Sequence, residues 1–264
     1  MFAWQGTRSL SLGVPFGYFG GKSRLAKTLI AKFPAHTCYV EVFAGAAHVF
    51  FKKEPSTVEV INDLDKDLIT LYRVIKHHPE ELHRQFKFSL VSRDEFERRM
   101  REDPTTLTDV QRAARFLYLQ KTCYGGKGHG RSFSSAASSA SNLNLFTLWP
   151  LIEDAWVRMT RTTIECLDFR SLIPKYDRPS TLFFIDPPYW GIKGYAHNFV
   201  EQDFKDLSAM LATVKGRFLM TLNDTAEVRE LFKDFSIEEV HLKYSMNSKN
   251  GAQSKIRTEL LISN

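Results

Sequence analysis

Asp186-Pro187-Pro188-Tyr189 follows directly on the apolar run Thr181-Leu182-Phe183-Phe184-Ile185. This order sets a carboxylate at the carboxyl edge of a buried strand. Two successive prolines fix φ and withdraw two backbone donors, so the Pro187 carbonyl keeps few local partners and can be aimed beside the Asp186 carboxylate. Paired acceptors suit an exocyclic amine, which carries two N–H donors and a lone pair delocalised into its ring. Holding both N–H groups localises that lone pair toward an electrophile. Tyr189 adds a flat face on which a base could stack. A Pro-Pro turn that only closes a strand reads the same way. Position favours chemistry, because open α/β sheets bind ligands at the carboxyl ends of their strands.

A second group near the N-terminus has complementary chemistry. Tyr18-Phe19-Gly20-Gly21-Lys22-Ser23 leads into a helical pattern to about Phe33, then the apolar strand Cys38–Phe43, the small-residue turn Ala44-Gly45-Ala46-Ala47, a helix, and the strand Val58–Asn62 ending in Asp63. A strand, a small-residue turn and a helix, then a second strand tipped by an acid, form a Rossmann-like nucleoside site. The small residues admit the ligand, and the acid accepts from ribose hydroxyls. Asp63 lies 18 residues beyond Gly45, close to the spacing of about 20 expected of that acid. Gly21-Lys22-Ser23 resembles the end of a phosphate-binding loop, but Phe16 stands where that loop needs glycine. One glycine in Phe43–Ala47 is also too few for a dinucleotide fingerprint, so S-adenosylmethionine fits better than NAD.

Taken in order, Tyr-Phe-Gly-Gly-Lys, Val-Glu-Val-Phe-Ala-Gly-Ala, Asn-Asp-Leu-Asp-Lys-Asp-Leu and Asp-Pro-Pro-Tyr resemble the Dam-type DNA adenine N6-methyltransferases. The match spans both ends of the chain and covers the middle loosely. The resemblance implies S-adenosylmethionine held by Tyr18, Lys22, Asp63 and Asp186, with methyl transfer to a flipped adenine gripped by the Asp186–Tyr189 loop. It also implies that Phe43 is an aromatic cofactor contact and that Asp168 and Phe169 frame the cofactor adenine. The chain departs from the family at Val42, where proline is common, at Ala47, where a second glycine is common, and at His48, which replaces a smaller residue. Ala47 is expected to modulate affinity. The same acceptors would suit an RNA base or a protein amide, and the departures leave open a binding module of this fold without turnover.

These residues need a scaffold, and the pattern supplies one. Strands are expected at Arg161–Cys166, Thr181–Ile185, Arg217–Leu222, Ser236–Leu242 and Ile256–Ile262, with helices at Glu201–Val214 and Thr225–Phe232. Strands alternating with helices predict an α/β fold with a Rossmann-like, mostly parallel sheet. The last two strands lack a helix between them and should pair antiparallel. Between them and the first strands, strand-like runs disappear and helical patterns follow at about His78–Phe88, Arg93–Arg101 behind the capping box Ser92–Glu95, and Leu107–Cys123. The expected organisation is a catalytic domain of residues 1–72 and 159–264 with an inserted, mainly helical target-recognition domain at 73–158.

Charge points to a partner. The net charge is +6 with a pI near 9.1, which favours a polyanion without proving one. Val110–Ile152 contains no Asp or Glu where the chain average predicts about five, and acidic groups repel phosphates. The same window holds Arg112, Arg115, Lys121, Lys127 and Arg131, the expected contacts to double-stranded DNA. Gly125–Ser141 reads as a linker or as a basic loop that orders on DNA. Lys249, in a polar connection near the C-terminus, faces DNA or solvent. No stretch approaches the roughly 18 apolar residues of a membrane span, and the first residues lack a leader pattern, so a soluble, cytoplasmic, DNA-associated monomer or weak dimer is expected. The three cysteines, Cys38, Cys123 and Cys166, are widely spaced, and no histidine has a partner at zinc spacing, so no metal site is expected.

Overall fold

The computed structural model describes residues 16, 21–124, 131–134, 141–195, 197–244 and 255–264. Among them, seven strands form one sheet: β1 (Cys38–Glu41), β2 (Val58–Asn62), β3 (Thr163–Glu165), β4 (Thr181–Ile185), β5 (Arg217–Asn223), β6 (Ser236–Tyr244) and β7 (Lys255–Ser263). Their spatial order is β3-β2-β1-β4-β5-β7-β6. The first five run parallel, while β7 pairs antiparallel with both β5 and β6. The expected antiparallel pairing of the last two strands is present.

Every residue of β4 is buried, which is why it reads as an unbroken apolar run: helices cover both faces of a parallel sheet. Alternate residues divide between the two layers. Tyr39, Ile61, Leu182, Phe184 and Leu219 face one core with α1 (Ala26–Ile30), α2 (His48–Lys52) and α3 (Lys66–His77). Val40, Val60, Phe183, Ile185 and Met220 face the other with α8 (Phe169–Tyr176), α9 (Glu201–Leu211) and α10 (Ala226–Leu231).

Between β2 and β3 the chain is helical: after α3 come α4 (Pro79–Arg84), α5 (Arg93–Arg101), a 3-10 turn at Pro104–Thr106, α6 (Asp109–Thr122) and α7 (Leu145–Met159). Ser92 caps α5 by accepting from Glu95 N–H, and Thr108 with Gln111 forms the reciprocal capping box of α6. These helices share the core of the first sheet face, through Phe96, Phe116, Leu117, Leu148 and Ile152. A buried ion cluster fastens them: Arg158 of α7 pairs with Glu59 of β2, whose other oxygen side holds Lys53 at 2.6 Å.

Helices α7 and α8 are absent from the sequence-based expectation. Each carries an internal proline, Pro150 and Pro174, which removes a backbone donor and reads locally as a helix breaker. Tertiary burial outweighs it: Leu148, Ile152, Ala155 and Met159 of α7, and Leu172 and Ile173 of α8, are fully enclosed. Among the described residues, no helix is long and apolar enough to cross a membrane.

Candidate functional site

Parallel register brings the two sequence motifs to one level. Glu41 pairs with Ile61 on β2 and with Phe184 on β4, so two residues further on Phe43, Asp63 and Asp186 leave three neighbouring strands together. Asp63 and Asp186 are two strand spacings apart, about 10 Å. They line one cleft, together with Lys22, Phe43, Phe169, Pro187 and Pro188.

At the β2 side, Asp63 accepts from the Gly45 N–H at 2.9 Å and from the Asp65 N–H at 2.9 Å. Burial pushes its carboxyl up to about 6 against the pull of those two bonds. The turn that it anchors is tight: Gly45 (φ 49°) and Ala47 (φ 52°) are both left-handed, a conformation that costs a residue with a side chain about 1–2 kcal/mol. The absent second glycine of the turn is therefore felt at Ala47. Asn62 fixes the three strand ends around this turn, donating to the Val42 and Leu167 carbonyls at 2.9 Å each and accepting from Leu167 N–H at 2.8 Å.

At the β4 side, Asp186 Oδ1 accepts from Thr221 at 2.6 Å and lies 2.7 Å from the Lys22 ammonium, which also donates to Oδ2 at 2.9 Å. Lys22 is 6 % exposed and Asp186 17 %. A carboxylate has about four acceptor sites, so one on Oδ2 is left for a ligand. Between the two acids stands Glu41, whose Oε2 accepts from the Tyr39 hydroxyl at 2.8 Å and the Phe50 N–H at 2.9 Å. Burial nevertheless raises its carboxyl to about 8.

An aromatic wall closes the side next to β3: Phe43, Phe169 and Phe199 lie with ring centroids 5.4–6.0 Å apart. Tyr195, His197 and Phe199, from the segment after the Pro-Pro turn, complete the lining. Glu41, Asn62, Tyr195, His197 and Phe199 escape sequence reasoning. The residues at 195–199 follow no helical or strand period, and their nearness in sequence to Asp186 is the one signal that could have found them.

Other expected residues are placed differently. Tyr189 does not line the cleft: its ring lies beneath the Lys22 ammonium at 4.8 Å and its hydroxyl donates to Glu259 of β7 at 3.0 Å. Burial is the main reason its phenol is raised well above the ordinary value. Asp168 does not line the cleft either; it caps α8 by accepting from Arg170 N–H at 2.8 Å. Arg112 donates to Asp67 of α3 at 2.5 Å, and Arg115, 7 % exposed, donates to the Arg99 carbonyl at 2.7 Å and lies 3.7 Å from Asp67. The acid-free window is acid-free along the chain but not in space: both arginines meet Asp67. Lys121 is half-buried and its ammonium is pushed below the usual range by that burial. Arg131 lies over the Phe116 ring at 5.2 Å. Tyr18, Lys127 and Lys249 fall outside the described residues.

The sequence profile of D12 class N6 adenine-specific DNA methyltransferases matches residues 18–246. Three relatives align along nearly their whole length. A type II methyltransferase, M.CviBI, of Paramecium bursaria Chlorella virus NC1A is 26% identical over 88% of this chain and 91% of its own. The type II methyltransferase M1.LlaDCHI of Lactococcus lactis subsp. cremoris is 27% identical over 93% of each chain. A DNA adenine methylase of Salmonella typhi is 24% identical over 90% of each.

Proposed function

Because the chain belongs to the D12 class N6 adenine-specific DNA methyltransferases and is a DNA adenine methyltransferase, we propose that its methyl donor is S-adenosylmethionine, bound in the cleft between Asp63 and Asp186, and that its substrate is a flipped adenine in double-stranded DNA. The observation that carries this reading is the convergence of the two carboxylates, the Lys22 ammonium and an aromatic wall on one cleft.

The residues fit such a donor. Asp63 is available to ribose hydroxyls, the aromatic wall to a purine, and the Lys22 ammonium to the carboxylate of an amino-acid tail. The neighbouring His48 ring, whose Nδ1 is buried without a hydrogen-bond partner, is a further polar group that a ligand could use. When bound, the donor supplies an electrophilic methyl group. The chain then positions the amine: Asp186 and the Pro187 carbonyl accept its two N–H groups, and the lone pair is directed away from the ring. Pro188 keeps the loop rigid. Tyr189 acts on the site indirectly, holding Lys22 from below and joining the loop to β7 through Glu259.

The helical segment 73–158 is assigned to target recognition, with Lys121, Lys127 and Arg131 toward phosphates. Its support is its place in the chain between β2 and β3, its helical character, and the basic residues of the acid-free stretch Val110–Ile152. Incubation with S-adenosylmethionine and duplex DNA, followed by mass spectrometry of the digested nucleosides, tests the whole reading: N6-methyladenine is expected. Methylated cytosine, or no methylated base with a folded protein, overturns it.

A further inference from the structure

His48 opens α2, immediately after the left-handed Ala47, and its ring lines the cleft beside Lys22, Glu41 and Asp186. Nδ1 is enclosed by protein and has no hydrogen-bond partner. Orphaned buried N–H donors are rarer in folded proteins than orphaned acceptors, which places the single proton of a neutral imidazole on Nε2. Burial first, and then the ammonium groups of Lys52 and Lys22, push the ring down to about 4, so at neutral pH it carries one N–H and no charge. Burial is the larger cause; the two ammonium groups add a positive field to it, and a positive field favours an anion near the ring.

We propose that His48 reads the amino-acid tail of the methyl donor: its Nε2–H donates to the tail's carboxylate beside Lys22 and selects for ligands that carry that carboxylate. The assignment rests on S-adenosylmethionine being the donor. It makes His48 a specificity-determining residue, separate from Asp186 and Pro187, which meet the target amine. It also gives a role to a bulky residue at a position where family members commonly have a smaller one. A small side chain there reaches less far into the cleft, whereas imidazole carries its donor two bonds further from the backbone.

Calorimetric titration of the full chain with S-adenosylmethionine and with its decarboxylated analogue tests this. Wild-type protein should prefer the carboxylated ligand. His48→Ala should weaken S-adenosylmethionine about tenfold, as expected for a lost hydrogen bond to a charged group, and leave the analogue unchanged. His48→Gln, which keeps an N–H donor near the Nε2 position, should retain the preference. In nitrogen-15 NMR, the His48 Nε2–H resonance of wild-type protein should shift with S-adenosylmethionine and not with the analogue. Equal weakening of both ligands by His48→Ala, or an equal NMR response to both, overturns the role of His48 and leaves the cofactor reading standing. Wild-type protein that binds neither ligand overturns both.

Discussion

Asp186→Ala removes a carboxylate that faces a 6 % exposed ammonium at 2.7 Å and a hydroxyl at 2.6 Å. Breaking a buried ion pair from one side costs about 3–5 kcal/mol, most of it from the charge left behind. Two features reduce that figure here. Asp186 is 17 % exposed, and the Tyr189 ring 4.8 Å beneath Lys22 still offers its face to the ammonium, which is worth about 0.5–1 kcal/mol. The expected loss is therefore about 2–3 kcal/mol of stability, so an inactive Asp186→Ala protein would not by itself identify a catalytic group. Asp186→Asn separates the two effects. It keeps the shape and one acceptor but in either orientation sets an N–H against the Lys22 ammonium, at about 1–2 kcal/mol. It should lower single-turnover methyl transfer about 100- to 1000-fold, the usual effect of losing one preorganised group. The double variant Lys22→Met with Asp186→Ala should regain most of the stability and none of the activity. Urea denaturation of wild type, Asp186→Ala, Lys22→Met and the double variant gives the coupling, and nucleoside mass spectrometry gives the rate. Additive stability losses would refute the ion-pair argument, and a double variant that methylates near the wild-type rate would refute the amine-acceptor role.

Asp63 titrates near 6, and its protonated form loses an acceptor, so the S-adenosylmethionine Kd should rise about tenfold per pH unit below about pH 6; calorimetry from pH 8 to pH 5 that finds a constant Kd would remove Asp63 from the binding set. Glu41 has a folded pKa of about 8, above its ordinary 4.5, so its contribution to stability is fully present below about 4.5 and is lost as pH rises through 8. Glu41→Gln does not titrate, and its melting temperature relative to wild type should climb between pH 5 and pH 9; a flat difference would show that the buried carboxyl is not held neutral. Arg115→Ala should cost about 2 kcal/mol of stability and leave the salt dependence of DNA binding unchanged. Replacing Lys121 and Arg131 with Ala should lower the log–log salt slope by nearly one unit per lost contact; filter binding across salt concentrations that finds the reverse would return Arg115 to the DNA interface and withdraw the other two.

The apolar run at 181–185 reads by itself as a strand covered on both faces, because a strand with one solvated face alternates and this one does not, while the runs at 38–43 and 58–62 read as strands although Glu41 and Glu59 interrupt them. They also determine that Asp63 and Asp186 end strands, since each acid stands where its apolar run stops. Capping at Ser92 is equally local and equally legible. What joins β1 to β4 is long-range: Tyr39 pairs with Leu182, 143 positions further along the chain, and no local period encodes strand order. Arg112 and Arg115 stand in an acid-free stretch of sequence yet meet Asp67 from another helix, because packing, not chain proximity, sets the charge a side chain feels. Pro150 and Pro174 break helices as local signals and are overruled by burial. The ring of Tyr189 and the imidazole of His48 likewise take their surroundings from elements distant in the chain: Lys22 and Glu259 for the first, Lys22 for the second. Composition and periodicity report the short-range energy of a segment; the site is built by contacts whose energy exists only after the segments have met.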